Sequence, residues 1–137
     1  MYLSKYIIKH KTDYYRLLQD VRNSNTWEEW IIFMLNAVEE TALETLTLVN
    51  RINSLMQEYN LLIRTKHPKL YSQDLLNNLF RYPYTKIEFI QKDLQVSRNT
   101  AIRYLEELVK SDILVKHKIG RDNYFENWAL FKLLSGY

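Results

Sequence analysis

The fold of this chain is decided by residues 85–105, which have the sequence TKIEFIQKDLQVSRNTAIRYL. Ile87, Ile90 and Leu94 recur at spacings of three and four, which places them on one face of a helix. The next residue, Gln95, interrupts this apolar pattern. The segment therefore predicts an amphipathic helix that ends in a tight turn.

A second helix follows the turn at once. Val96 supplies an apolar side chain for the corner, and Ser97 is a residue type favoured at helix N-caps because its hydroxyl accepts a hydrogen bond from a first-turn amide. Ala101, Leu105 and Leu108 then repeat at i, i+4 and i+7, so they face the first helix. The two segments together predict a helix-turn-helix.

The outer face of the second helix carries the side chains that suit DNA. A helix-turn-helix presents the N-terminal part of its second helix to the major groove. Arg98, Asn99 and Arg103 are exposed in this pattern, and their paired donors and acceptors match guanine and adenine edges. Ser97 and Thr100 are expected near phosphate. These five residues are the candidate contacts of the helix.

The sequence beyond the helix predicts a wing. Residues 113–118 are rich in β-branched side chains, 119–122 contain turn residues, and 123–126 can return as a second strand. The wing would carry cations suited to phosphate, namely Lys116, Lys118 and Arg121. Residues 98–121 contain six lysines or arginines and three acidic residues, so the positive excess is local. Winged helices also dock onto proteins, so fold alone leaves both functions open.

The first half of the chain predicts helices. The fold class expected is mainly α, with a helical region over 1–66 and a winged helix-turn-helix domain over 67–137. After two short helices, the second capped by Thr12 or Asp13, a long helix is expected over about 26–65. Its apolar residues step by three and four, as in a coiled-coil seam: Ile31, Met34, Val38, Ala42, Thr45, Val49, Ile52, Met56, Tyr59 and Ile63.

Composition excludes several classes of site. The 137 residues contain no cysteine and only two glycines, so a disulfide framework, a thiolate zinc site and a glycine-rich phosphate cradle are excluded. His10, His67 and His117 are far apart in sequence with no ligand-spaced carboxylate beside them, and nothing in the pattern activates a serine. We expect no metal site and no cofactor. No apolar run has membrane-spanning length, so we expect no membrane partner and a cytoplasmic location.

Four segments of the first half carry a family resemblance: residues 3–7, 13–19, 21–22 and 27–35. They resemble the C-terminal region of Fic-family proteins, which are protein adenylyltransferases. In many such proteins this run follows the catalytic loop, and a long helix then leads to a winged helix similar to residues 96–101 and 120–121. The resemblance therefore implies the part of a Fic protein that lies after its catalytic centre.

The catalytic motif of that family is absent from this sequence. In the family the motif begins His-Pro-Phe and continues through Gly-Asn-Gly-Arg; its histidine is a general base, and its glycines and arginine hold the nucleotide phosphates. Here His67-Pro68 is followed by Lys69, and the glycines are missing. No family catalytic residue can be placed on this chain, so we expect no adenylyl transfer by this chain alone.

Two functions from different classes follow. The first is DNA binding by the winged helix, for transcriptional autoregulation or for targeting of the parent protein. The alternative is a protein-interaction or dimerisation module that docks or regulates the Fic catalytic domain. A homodimer is also expected, because the early helices pack against a catalytic core in resembling proteins and the long seam can pair with a second copy.

Overall fold

The computed structural model describes residues 2–136 and confirms the mainly α class. The helices and strands follow in this order: α1 Leu3–Lys9, α2 Lys11–Ser24, α3 Trp27–Lys66, α4 Gln73–Arg81, β1 Tyr84–Thr85, α5 Ile87–Leu94, α6 Arg98–Lys110, β2 Val115–Ile119, β3 Asp122–Glu126 and α7 Trp128–Ser135. The chain forms two compact units, residues 1–49 and 50–137. The division falls within α3, which is earlier than the expected boundary at residue 66.

The first unit has a small aromatic core. Tyr14 packs against Trp30 at 5.3 Å between ring centroids, and Tyr6 packs edge-on against Phe33 at 5.5 Å. On the part of α3 that belongs to this unit, the buried positions are Phe33, Ala37 and Thr41, spaced four residues apart. This face lies beside the expected seam, most of whose residues in this unit remain exposed. The seam residues therefore contribute little to the core of this unit.

The beginning of α2 corrects one expectation. The helix begins at Lys11 with His10 at the N-cap, and neither Thr12 nor Asp13 caps it. The reason is that α1 and α2 are separated by His10 alone, whose carbonyl already accepts the amide of Tyr14 at 3.0 Å. The connection is too short for a separate capping residue.

The second unit is a winged helix. Its sheet is antiparallel with the order β1-β3-β2, and Ile119 pairs with Asp122 across a two-residue turn. Gly120, the first turn residue, has φ +62°, as hairpin turns of this length require. The core lies between the helices and the sheet: Ile63, Leu70, Leu75, Leu79, Ile87, Ile90, Ala101, Leu105, Leu108, Ile113, Leu114 and Phe125.

The turn between α5 and α6 follows the expected pattern. Gln95 ends α5 in the left-handed conformation with φ 56°, and its side-chain amide donates to the carbonyl of Lys92 at 2.8 Å. Val96 packs against the core. At the other end of α6, Asp112 takes the left-handed position with φ 58°, where many helices place glycine.

Candidate nucleic-acid interface

The N-terminus of α6 is fixed by a capping interaction. Ser97 Oγ accepts a hydrogen bond from the Thr100 amide at 3.2 Å and donates one to Thr100 Oγ1 at 2.9 Å. The two hydroxyls are therefore already engaged with each other. Helix geometry leaves the amides of Arg98 and Asn99 without intrahelical acceptors, so these two amides are the donors that a phosphate could use.

The exposed face of α6 carries the expected side chains. Ala101 and Leu105 are fully buried, whereas Arg98, Asn99 and Arg103 are exposed. Arg98 NH1 lies 3.5 Å from Glu88 Oε1 on α5, in a pair that is open to solvent on both sides. Such a pair contributes little to stability and can exchange partners.

Arg103 differs from Arg98 in the groups that it contacts. Its guanidinium lies over the ring of the adjacent Tyr104, 5.6 Å from the centroid. Within residues 2–136 it makes no ion pair. Arg103 is therefore an exposed cation whose hydrogen-bond donors are available to an incoming ligand.

Of the three predicted phosphate-binding cations of the wing, one forms an ion pair and two form none among residues 2–136. Lys116 Nζ lies 2.8 Å from Glu106 Oε1, which joins β2 to the third turn of α6. Lys118 and Arg121 lie on either side of Gly120, and both are exposed. In the part of the chain that the structure describes, neither forms an ion pair. Of the predicted phosphate contacts, these two are the ones free to bind.

One polar cluster was missed by sequence reasoning. His67 Nε2 lies 2.6 Å from Ser111 Oγ, and His67 Nδ1 lies 3.5 Å from Glu107 Oε2. The sequence pattern did not predict that a histidine lies beside a serine. These residues are 44 positions apart, so no spacing signal could have indicated the contact.

This cluster has the residue types of a hydrolytic triad but the wrong surroundings. An oxyanion needs donors aimed at it, whereas Ser111 follows the last turn of α6, where helix carbonyls carry partial negative charge. We therefore interpret the contact as a structural link between the C-terminal ends of α3 and α6.

The described residues also bear on metal binding and on membrane insertion. No group of three His, Cys, Asp or Glu side chains among residues 2–136 is arranged to hold a metal ion. In the same range, no helix is both long enough and apolar enough to cross a membrane.

The comparison with known families decides the identity. Residues 55–130 match the family described as protein adenylyltransferase SoFic-like, C-terminal domain, and this range covers more than half of the chain. The chain belongs to this family. The match lies within the second compact unit, and it includes the whole helix-turn-helix and the wing. The resemblance to the Fic family is thereby confirmed.

Proposed function

We propose that the winged helix of this SoFic-like C-terminal domain binds duplex DNA. The observation that carries the proposal is that Arg103 on α6, and Lys118 and Arg121 around the tip of the wing, are exposed and form no ion pair among residues 2–136. The first belongs to the helix that enters the major groove in this fold class. The other two belong to the wing, where cations serve phosphate.

Each residue has a role that its chemistry supports. Arg103 and Asn99 contact base edges, and Arg98 joins them once its solvent-exposed pair with Glu88 opens. The first-turn amides beside Ser97 and Thr100 receive a phosphate. Lys118 and Arg121 bind the backbone, whereas Lys116 positions the wing through Glu106. Such a domain supports autoregulation or targeting of the parent protein.

Fluorescence anisotropy with a labelled duplex of arbitrary sequence tests the proposal. Phosphate contacts act on any duplex, so we expect binding at low salt that weakens steadily as salt rises. A protein-docking module need not show such binding. Absence of any anisotropy change at low salt, with a chain that is folded by circular dichroism, would refute DNA binding.

A second proposal concerns the exposed apolar stripe of α3, which we infer pairs with a second copy of the chain. The stripe is defined by Ile31, Leu35, Val38, Ala42, Leu46 and Val49, which step by three and four along one side of the helix. All six are exposed, and Leu35 keeps 62% of its surface open to solvent. A contiguous apolar face of this length is uncommon on soluble monomers.

Substitution within the stripe tests the pairing. We expect light scattering to give twice the chain mass of 16.7 kDa for the wild type, and the single-chain mass for the double variant Leu35→Glu/Leu46→Glu, because the charges prevent the faces from meeting. Leu61→Glu is the matched control, since Leu61 is 70% exposed on α3 but lies outside the stripe. A wild-type mass of 16.7 kDa at high concentration would contradict the proposal.

We also infer that this chain does not transfer adenylyl groups by itself. The sequence contains no His-Pro-Phe followed by Gly-Asn-Gly-Arg, so it has neither the family's general base nor its phosphate cradle. The purified chain should give no protein labelling when incubated with ATP labelled on its α-phosphate. Labelling above that of a heat-denatured sample would overturn this inference.

A further inference from the structure

The winged helix has a groove that plays no part in the proposed DNA contacts. It lies between the end of α4, strand β1 and helix α5, and its cavity volume is about 260 Å³. The lining combines aromatic, polar and cationic side chains: Asn78, Arg81, Tyr82, Tyr84, Thr85, Phe89, Lys92 and Asp93. The groove is therefore not an apolar crevice, because its aromatic, polar and cationic groups can each contact a different part of a ligand.

The walls of the groove are exposed aromatic rings. Tyr82, Tyr84 and Phe89 leave 55%, 42% and 37% of their surfaces open to solvent. The rings of Tyr82 and Tyr84 are stacked on each other with centroids 6.3 Å apart and planes 25° apart. Tyr84 also meets the ring of Tyr124 edge-on at 5.7 Å between centroids, whereas Phe89 packs against no other ring among residues 2–136. Exposed aromatic rings are the surfaces on which planar bases stack.

The floor is a fixed chain of polar groups. Thr85 Oγ1 donates to Asn78 Oδ1 at 2.7 Å, and Asn78 Nδ2 donates to Asp93 Oδ2 at 2.7 Å. Asn78 and Thr85 are 5% and 2% exposed, so their orientation is set by the core. An amide has two N–H groups and a carboxylate has two oxygens. These hydrogen bonds thus leave one N–H group of Asn78 and one carboxylate oxygen of Asp93 for a ligand.

The rim supplies positive charge. Arg81 NH1 lies 3.3 Å from Asp93 Oδ2, which uses only one of the five N–H donors of the guanidinium. Lys92 is exposed and has no ion pair within residues 2–136. With two cations and one carboxylate, the groove has a net positive lining. It therefore suits a ligand that carries an anion at one end.

We propose that this groove binds a nucleotide. The base stacks against Phe89, and its edge meets the donor and acceptor of the polar floor. The phosphate is held at the mouth by Arg81 and Lys92. Ligand sites for drug-sized molecules have volumes of roughly 300–1,000 Å³, so this smaller groove fits one base with its phosphate outside. The nucleotide is either free or the end of a single strand, because both present the same groups.

An NMR titration of the isotope-labelled chain tests the proposal. AMP, GMP, CMP and UMP are added separately, with adenosine and inorganic phosphate as partial ligands. We expect amide shifts in β1 and α5, with adenosine and phosphate each binding about tenfold more weakly than AMP. Phe89→Ala is expected to weaken nucleotide binding by about tenfold or more, because base–aromatic stacking is lost.

Charge variants complete the test. Lys92→Gln should weaken binding of AMP and leave binding of adenosine unchanged, with AMP still bound more tightly than adenosine because Arg81 remains. Lys110→Gln on α6 should leave both affinities unchanged. A short single-stranded oligonucleotide distinguishes the two sources: tighter binding than AMP supports a strand end, and equal binding supports a free nucleotide. No shifts at millimolar nucleotide, or wild-type affinity in Phe89→Ala, would overturn the proposal. The titration contains no duplex DNA. A negative result would therefore contradict the nucleotide proposal and leave the proposal of duplex binding unaffected.

Discussion

Replacement of Asn127 by alanine is expected to lower the free energy of unfolding by about 3 kcal/mol, since the loss of a helix cap and of buried hydrogen bonds each cost about 1 kcal/mol or more. Asn127 is 1% exposed. Its Oδ1 accepts the Leu130 amide at 3.2 Å and so caps α7, and it also accepts the Tyr59 hydroxyl at 3.1 Å. Its Nδ2 donates to the carbonyl of Leu79 at 3.1 Å.

The alanine variant would leave polar groups from three helices without partners in the core. Burial, with a smaller contribution from the nearby Glu58 carboxylate, raises the pKa of the Tyr59 phenol, so this hydroxyl stays protonated and acts as the donor. Urea denaturation followed by circular dichroism measures the loss. Asn77→Ala is the control, because Asn77 is exposed on α4 and a surface change of this kind shifts stability by about 0.5 kcal/mol or less. Equal effects in the two variants would show that Asn127 does not link these elements.

The Arg103→Ala variant is expected to lose about 1–3 kcal/mol of binding free energy on a duplex selected by the wild type, which is about 5- to 150-fold in affinity. The reason is that a bidentate base contact carries this much discrimination. The loss should be concentrated at one base position. On duplex of arbitrary sequence the same variant should lose much less, because there the phosphates dominate.

A matched control lies on the same helix. Lys110 is an exposed cation at the last turn of α6, away from the end that enters the groove. Lys110→Ala should change affinity for the selected duplex by less than about twofold. If both variants lose affinity to the same extent and on every sequence, α6 does not contact base edges, and the assignment of Arg103 fails.

The winged helix could be predicted from sequence because its signals are local. Spacings of three and four over residues 87–108, the N-cap at Ser97 and the glycine at position 120 each depend on neighbours within one element. The long α3, Trp27–Lys66, was expected at 26–65 for the same reason, since a helix of this length shows its period clearly.

Contacts between distant residues could not be predicted in this way. Asn127 forms hydrogen bonds with Tyr59 and Leu79, which are 68 and 48 residues away in the sequence, and neither separation follows from a sequence repeat. The ion pair of Lys116, a predicted phosphate contact, with Glu106 is revealed only by the packing of β2 beside α6. The nucleotide groove is assembled from three elements and has no sequence signature.

The most direct test of DNA binding by this SoFic-like domain is the salt dependence of duplex affinity in the wild type and in Lys118→Gln/Arg121→Gln. Each phosphate contact contributes about 0.9 to the slope of log affinity against log salt. The proposed roles predict that the double variant has a slope smaller by about 2, with weaker binding to every sequence. An unchanged slope, or wild-type binding that does not respond to salt, would contradict the account.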